Sequence, residues 1–211
     1  WSLFHVEQNY LDVWKNYHRA LRHRNALLKR ARFASSSEIL VWEKRITQEA
    51  EKIDSMREKY VNDLNKKLNK KHLPAVLSGD AKITYSKNEY GVNGLADALA
   101  KHRNTDAKKG YTSFGPHRAD ILFYYQDIKV EKHLSRGQTK LFAAALVSAQ
   151  LEKLKKKGGT PIMLVDDLSA ELDQKASEKM LNLLLANKTQ TFVTSIKPPS
   201  KQKQSNNDIA V

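Results

Sequence analysis

The run IMLV at residues 162–165 carries no polar side chain, and two carboxylates, Asp166 and Asp167, follow it directly. A strand with one wet face alternates apolar and polar residues, whereas a strand without a polar face needs cover on both sides. Such strands belong to parallel sheets, where ligands bind beyond the carboxyl ends of the strands. The run therefore predicts an α/β architecture with both aspartates at the ligand-binding edge.

The segments around this run alternate between strand and helix. Residues 111–125 are rich in aromatic side chains and predict strands around a Gly-Pro break. Helices are expected at about 135–157 and 174–188, and a further strand at 189–196. Strand, helix, strand, helix and strand in succession favour a parallel sheet with crossover helices.

The first third of the chain has a helical period instead. Apolar residues recur at steps of three, four or seven over residues 1–32 and again over about 38–71, with ASSSE (34–38) between them. Two long amphipathic helices with a short link favour an antiparallel hairpin that forms an arm or lobe. A two-helix coiled coil is the alternative.

Shorter elements are expected between the two halves: a strand at 81–86, a helix at 95–103 and a turn at 105–110. The last stretch, residues 197–211, has no apolar period and is expected to be disordered. The chain then divides into a helical lobe with a short mixed segment at 1–105, an α/β half at 106–196 and this tail.

The chain is strongly basic. Its 211 residues include 37 Lys and Arg against 23 Asp and Glu, which gives a formal net charge of +14. Such an excess favours a polyanionic partner, with nucleic acid ahead of a membrane surface or an acidic protein. General solubility of solvated helix faces is the alternative.

Several classes are excluded by what the sequence lacks. It has no cysteine, which excludes disulfides, thiol catalysis and thiolate metal sites, and fits a reducing cytoplasm. No apolar stretch approaches the roughly 20 residues that span a bilayer, so we expect no membrane partner. The first residues, WSLFHVEQNY, have neither an initiator Met nor a signal-peptide pattern. We expect them to lie inside a longer, cytoplasmic protein.

The stretch HLSRGQTKLFAAALVSAQ (133–150) begins with polar residues and continues as an apolar helix. A helix N-terminus offers unpaired N–H groups and the positive end of the helix dipole. Gly137 would let an anion approach the backbone, and Ser135 would add a hydroxyl donor. The pattern is typical of a phosphate site, although Ser135 acting only as a helix N-cap is the alternative.

The adjacent carboxylates of Asp166 and Asp167 repel each other unless a cation or a proton lies between them. Mg²⁺ is the natural hard cation, held by one carboxylate and by phosphate oxygens. The second carboxylate could then orient or deprotonate an attacking water. The alternative is a pair of carboxylates that begins a turn or caps the next helix.

Taken together, these motifs match one superfamily. Three stretches resemble the signature, Walker B and D-loop of an ABC-type ATPase head: LSRGQ (134–138), IMLVDD (162–167) and SAELD (169–173). Three further matches resemble the RecF family of bacterial recombination-mediator ATPases: YHRALRHRNALLK (17–29), GYTSFGPHRAD (110–120) and LSRGQTKLFAAAL (134–146). The resemblance covers residues 1 to about 196.

The resemblance implies a site for ATP and Mg²⁺ shared between two protomers. The signature residues would contact the γ-phosphate of a nucleotide held by the other protomer: Ser135, Arg136, Gly137 and Gln138. Asp166 would bind Mg²⁺ through water and Asp167 would take the catalytic-base position, while Asp173 would cross the dimer interface. Residues 115–118, GPHR, match a family motif whose role the residues do not reveal.

The resemblance also implies a fold and a function. The fold would be a partial ABC-type ATPase head with a lobe formed by an antiparallel helix hairpin, and residues 106–196 would be the head half. The family binds double-stranded and gapped DNA, forms an ATP-dependent homodimer and helps to load recombinase, with RecR and RecO as partners. Its members serve DNA replication, recombination, repair and the SOS response.

One departure from the family pattern matters most, because no G-x-x-x-x-G-K-[ST] loop is present. Gly110 and Gly115 have the right spacing, but Pro116 stands where the lysine belongs. We therefore expect the C-terminal portion of a RecF without its Walker A half. The intact protein would be a slow, DNA-stimulated ATPase, and this chain alone would be inactive. A non-catalytic DNA-binding or scaffold remnant of an ABC- or SMC-like head is the alternative.

Overall fold

The computed structural model describes residues 2–30, 37–87, 90 and 93–195, so the tail expected to be disordered lies outside the described residues. The chain forms two compact units. The first comprises residues 1–66 and 82–124, and the second comprises residues 67–81 and 125–211. None of the helices in the described ranges combines the length and hydropathy that a membrane span requires.

Three helices build most of the first unit: α1 (Ser2–Val6), α2 (Tyr10–Lys29) and α3 (Ser37–Lys67). The single helix expected over 1–32 is broken near Asn9, and this break brings the Phe4 ring to 4.9 Å from the Tyr10 ring. At its other end α3 gives way to a π-helical turn, Leu68–His72, which interrupts the helix expected to continue to 71.

Helices α2 and α3 form an antiparallel hairpin. Arg24 lies toward the end of α2 and contacts Glu43, near the start of α3. Tyr10, at the start of α2, accepts a hydrogen bond from Arg57, far along α3. The apolar stripe expected from the sequence is buried between these helices and includes Tyr17, Ile39, Ile46 and Ile53.

The first unit is completed by strand β1 (Ala81–Ser86), helix α4 (Leu95–Lys109) and strand β2 (Asp120–Tyr125), with β1 next to β2 in one sheet. The turn expected at 105–110 is wrong, because α4 continues to Lys109. Gly110 then ends the helix in the left-handed conformation, with φ of 74°, and its N–H donates to the Asp106 carbonyl.

The second unit carries the polar-to-apolar helix and the strand with two aspartates. Its elements are β3 (Ile128–Lys129), α5 (Val130–His133), α6 (Arg136–Lys156), β4 (Met163–Val165), α7 (Gln174–Ala186) and β5 (Thr191–Val193). Strands β4 and β5 pair in parallel, with Leu164 opposite Phe192. The parallel arrangement expected from the alternation of strand and helix is present for these two strands, whereas β2, which was expected to belong to the same sheet, lies next to β1 in a separate sheet.

The expectation that the run 162–165 is covered on both faces is wrong for the described chain. Met163 is buried, but Ile162 and Leu164 are 60% and 77% exposed. Phe192, on the neighbouring strand, is 54% exposed. A two-stranded sheet with one buried face explains this pattern, because successive side chains point to opposite faces of a strand.

Candidate functional site

The polar start of α6 is closed by a reciprocal pair of hydrogen bonds. The Gln138 backbone N–H donates to Ser135 Oγ at 3.3 Å, and the Ser135 N–H donates to Gln138 Oε1 at 3.0 Å. This is a capping box, which satisfies two of the orphan donors at a helix start. The N-cap alternative is therefore present in the structure, and it holds Ser135 and Gln138 in fixed orientations.

Gly137 lies where the start of α6 meets the loop that follows β4. A Cβ at this position would lie 2.7 Å from the Glu171 carbonyl oxygen, so only glycine allows this approach. Arg136 reaches the same residue, with Nη1 at 3.5 Å from Glu171 Oε1, although both side chains are largely exposed. Close backbone packing against Glu171 is thus a reason for Gly137 that the sequence did not reveal.

Lys140, one turn further along α6, fixes the loop from the other side. Its Nζ donates to the Asp167 carbonyl oxygen at 2.5 Å and to the Ala170 carbonyl oxygen at 3.2 Å. Sequence reasoning missed this residue, because a lysine in an otherwise apolar helix resembles a solvent-facing charge. Lys140 lies three residues after Gly137 and therefore on the same helix face. This spacing is the sequence signal that could have indicated its contact with the loop.

Asp166 and Asp167 follow β4 and differ in their surroundings. Asp166 Oδ1 accepts a hydrogen bond from Thr194 Oγ1 at 2.6 Å, and the same hydroxyl oxygen accepts from the Asp167 N–H at 2.8 Å. Thr194 comes directly after β5, so the two strand ends are joined through its hydroxyl group. The carboxylate of Asp166 is thereby oriented at the carboxyl edge of the parallel pair.

Asp167 combines two unusual features. Its φ of +46° is left-handed, a conformation that a non-glycine residue adopts at some cost. Its Oδ1 is buried and has no hydrogen-bond partner among the described residues. A buried, unpaired carboxylate oxygen costs free energy. Strain and an unmet acceptor at one residue are typical of a functional position.

The loop ends at Asp173, which is the N-cap of α7. Its Oδ1 accepts a hydrogen bond from the Ala176 N–H at 2.7 Å. Between the aspartates and this cap, Ser195 Oγ donates to Ser169 Oγ at 3.0 Å. The segment 166–173 is therefore attached at both ends and in its middle.

The oxygen donors near the two aspartates suit Mg²⁺ bound partly through water. Within the described ranges, no group of three or more metal-ligating side chains is present. Mg²⁺ usually retains several waters and takes one or two carboxylates together with phosphate oxygens. One oriented carboxylate, Asp166, with a second unpaired oxygen on Asp167 fits such a water-mediated site, and does not fit an all-protein cage.

The structure thus brings the expected site residues together within the second unit. The start of α6 and the segment 166–173 form one rigid element, connected through Gly137, Arg136 and Lys140. The start of α6 therefore packs against the loop between β4 and α7, which agrees with the expectation that the two stretches form one site.

Comparison with known proteins agrees with this layout. A family model described as the RecF/RecN/SMC N terminal domain matches residues 25–210. The chain belongs to this family. Two solved structures share the fold: one titled as the recombination mediator protein RecF with ATP in the RecFOR pathway (TM-score 0.77, 23% identity) and one with ATPrS (TM-score 0.74, 24% identity). The chain covers 56% of each of these structures, and they cover 95% and 93% of this chain.

The curated relatives are named DNA replication and repair protein RecF. That of Stenotrophomonas maltophilia (strain R551-3) is 37% identical over 205 residues, and that of Shewanella sediminis (strain HAW-EB3) is 36% identical over 202 residues. These alignments cover 95% and 94% of this chain but 55% of each relative. The chain therefore spans about half the length of the relatives it matches. The resemblance to RecF is confirmed, as is the α/β fold of a partial ABC-type ATPase head with a helical hairpin lobe.

Proposed function

We propose that this chain is part of a RecF-like DNA recombination and repair ATPase. The protein would bind double-stranded and gapped DNA, dimerise when ATP binds and help to load recombinase, with RecR and RecO as partners. The names of the relatives and the ATP-containing structures of the same fold support this proposal. A cytoplasmic location and a role in the SOS response belong to the same proposal.

One observation carries the proposal: the start of α6 and the segment 166–173 are held as one element. The Gly137 contact and the two Lys140 hydrogen bonds would transmit a displacement of the helix start to the backbone that carries Asp167. An ATPase that hydrolyses ATP only after dimerisation needs such a connection. It joins the surface that contacts the partner to the carboxylate that activates water.

The start of α6 would bind the nucleotide of the other protomer. Ser135, Arg136, Gly137 and Gln138 stand at the positive end of a 21-residue helix, where backbone N–H groups favour phosphate. The capping box would keep the Ser135 hydroxyl aimed and would leave its proton available to a phosphate oxygen. Asp173, fixed as the cap of α7, would face the partner across the interface.

The two aspartates would divide the chemistry. Asp166, oriented by Thr194, would hold Mg²⁺ through water, and Asp167, with its unpaired oxygen, would orient and deprotonate the attacking water. Bound Mg²⁺ and ATP would supply charge neutralisation and the phosphoryl group. The left-handed backbone at Asp167 is strained, and this strain would be retained because the position of the carboxylate matters more than stability there.

This chain alone would neither bind ATP tightly nor hydrolyse it, because no Walker A sequence is present to cradle the phosphates. That absence favours a second candidate function, a non-catalytic DNA-binding or scaffold module that keeps the head fold and the basic surface. The two candidates differ in a single observable, which is ATP turnover after the missing phosphate loop is supplied.

The test joins this chain to the portion of the Stenotrophomonas maltophilia relative that it does not match. ATP hydrolysis by the completed protein is expected to be slow and to rise with DNA. Asp167→Asn should lower turnover about 10²–10⁴-fold while ATP binding persists. Glu178→Gln, an acid-to-amide change on α7 outside the site, is the matched control and should leave turnover unchanged. Wild-type turnover in the Asp167→Asn variant would refute the catalytic role and favour the scaffold.

A further inference from the structure

Glu171 lies in the loop between β4 and α7 and adopts a left-handed backbone, with φ of +62°. A non-glycine residue adopts this conformation at some cost in free energy. The Ala170 carbonyl oxygen accepts a hydrogen bond from Lys140 Nζ at 3.2 Å. The Leu172 N–H donates to the Ser169 carbonyl oxygen at 3.3 Å. The residues on both sides of Glu171 are therefore fixed, and they hold its strained conformation in place.

This conformation brings two groups of Glu171 to the start of α6. Its carbonyl oxygen lies against Gly137, at which an added Cβ would be only 2.7 Å from that oxygen. Its carboxylate oxygen Oε1 lies 3.5 Å from Arg136 Nη1. One residue of the loop therefore contacts two successive residues of the helix start, once through its backbone and once through its charge.

The ion pair between Glu171 and Arg136 is weak. The Arg136 side chain is 88% exposed and the Glu171 side chain is 50% exposed. Exposed ion pairs of this kind contribute little to stability. A bidentate contact of a guanidinium with a phosphate is stronger, because it combines two charge-assisted hydrogen bonds. Arg136 can therefore exchange the carboxylate of Glu171 for a phosphate.

A phosphate at the helix start would compete with Glu171 for the same guanidinium. The positive end of the helix dipole favours an anion at this point. The carboxylate of Glu171 is tethered beside Arg136 and thus has a high effective concentration, whereas the phosphate would arrive with the other protomer. Until that phosphate docks, Arg136 stays paired with Glu171.

We propose that Glu171 is an intramolecular competitor of the γ-phosphate and thereby weakens the ATP-dependent dimer. The inference rests on the proposed dimerisation and on the proposed contact of Arg136 with the nucleotide of the other protomer, and it adds a residue that regulates both. Arg136 leaves Glu171 when the γ-phosphate docks and returns to it when the γ-phosphate has been released. ADP lacks the phosphate that displaces the carboxylate, so this exchange does not occur with ADP.

Sedimentation velocity of the completed protein with Mg²⁺ and ATP measures the dimer dissociation constant. All variants carry Asp167→Asn, so that the nucleotide stays intact during the run. Glu171→Gln should lower the dissociation constant about 5-fold, because Arg136 no longer has to leave an ionised partner. With ADP, Glu171→Gln should not promote dimerisation. Glu51→Gln, which removes the same charge from an exposed position of α3, is the matched control and should stay within about 2-fold of its parent.

A double-mutant cycle separates competition for Arg136 from any other effect of Glu171. Arg136→Gln should weaken the ATP dimer, and Glu171→Gln should then change its dissociation constant by less than about 2-fold. Equal tightening by Glu171→Gln with and without Arg136 would show that the carboxylate acts by another route, which contradicts the inference. Glu171→Asn removes the charge with a residue that tolerates the left-handed backbone, and should tighten the dimer as Glu171→Gln does.

The exchange is also observable in this chain alone. The Nε–H NMR signal of Arg136, identified by its loss in Arg136→Gln, should shift on titration with inorganic pyrophosphate. The midpoint concentration should be about 3-fold lower in Glu171→Gln than in the unmodified chain. Equal midpoints, or a signal that pyrophosphate moves in neither protein, would show that Glu171 and a phosphate do not compete for Arg136.

The outcomes for the completed protein separate this inference from the proposed function. An ATP-dependent dimer that Glu171→Gln leaves unchanged or weakens would overturn the inference and leave the proposed function standing. A completed protein that stays monomeric with ATP would overturn both.

Discussion

The buried polar cluster around Arg24 and the segment 166–173 use charged groups in opposite ways. Arg24 is fully buried and makes five hydrogen bonds, to Glu43 (two), Asp106, Thr112 and the Leu99 carbonyl. In the segment 166–173, by contrast, Asp167 has a left-handed backbone and a buried oxygen without a partner.

The comparison sets a fully paired buried charge, which stabilises the fold, against an unpaired carboxylate oxygen at the proposed catalytic position. Removing a buried charge from a fully paired cluster leaves its partners uncompensated, whereas an unpaired acceptor already carries that cost in the native state. The satisfied cluster around Arg24 therefore stabilises the fold, whereas Asp167 combines an unpaired oxygen with a left-handed backbone, as a proposed ligand-binding position would.

The largest effect is expected in the cluster around Arg24. Arg24→Met should lower the free energy of unfolding by about 3–5 kcal/mol, because Asp106 would remain buried without its cation and Glu43 would keep only its ion pair with Arg103. Urea unfolding followed by circular dichroism measures this difference. Arg22→Met, at an exposed position of the same helix, is the control and should change stability by less than about 0.5 kcal/mol. Equal stability of both variants would show that the cluster does not hold the hairpin.

An intermediate effect is expected where the helix start meets the loop. Gly137→Ala should destabilise the chain by about 1–3 kcal/mol, since the new methyl group would lie 2.7 Å from the Glu171 carbonyl oxygen. Arg136→Ala, one residue earlier and exposed, should stay within about 0.5 kcal/mol of wild type. Urea unfolding compares the two. A stabilised Gly137→Ala variant, as simple helix propensity predicts, would mean that α6 and the loop are not in close contact.

The smallest effect concerns Glu152, on the outer part of α6. Hydrogen bonds from Lys67, Lys156 and His72 lower the pKa of this carboxyl to about 2 from an ordinary value of 4.5. A depressed pKa contributes stability that is present above about pH 4.5 and is lost as the pH falls toward 2. Glu152 and its three partners are partly solvated, so these ion pairs should contribute no more than about 1 kcal/mol to stability.

The pH dependence of unfolding checks this. At pH 6, Glu152→Gln should be less stable than wild type, and the difference should shrink as the pH falls from 4.5 toward 2. Glu131→Gln, an exposed acid on α5, is the control and should follow the wild-type profile at all pH values. If the free energies of unfolding of Glu152→Gln and wild type differ by the same amount at every pH, the charge of Glu152 does not contribute to stability.

Helices and strands were predictable from the sequence where the apolar periodicity and the residues that begin or end helices agree. The bounds of α6, the parallel pairing and the hairpin follow from the apolar stripes and from the Gly and Ser residues that end or begin helices. Prediction failed where a distant partner decides the outcome. Helix α4 continues past Asp106, whose carboxylate accepts hydrogen bonds from Arg24 and from the Ser113 N–H. Arg24 lies 82 positions away in the sequence and Ser113 lies 7 positions away.

The candidate site divides in the same way. Its residues could be chosen from the motifs, because order and spacing are properties of the sequence. Their geometry could not: the approach of Gly137 to Glu171, the Lys140 hydrogen bonds and the Thr194 link all join separate elements. The exposure of the Leu164 side chain could not be predicted either. An apolar run predicts that its side chains are buried, but it does not reveal which other elements bury them.

The central claim is that the start of α6 acts on a nucleotide held by another protomer. Ser135→Asp tests it, because Asp caps a helix as well as Ser does but places a negative charge against the incoming phosphate. The measurement is sedimentation velocity of the completed protein with Mg²⁺ and ATP, with Asp167→Asn as the matched variant. We predict equal melting temperatures, a dimer for wild type and Asp167→Asn, and a monomer for Ser135→Asp. A full Ser135→Asp dimer with ATP would contradict the account.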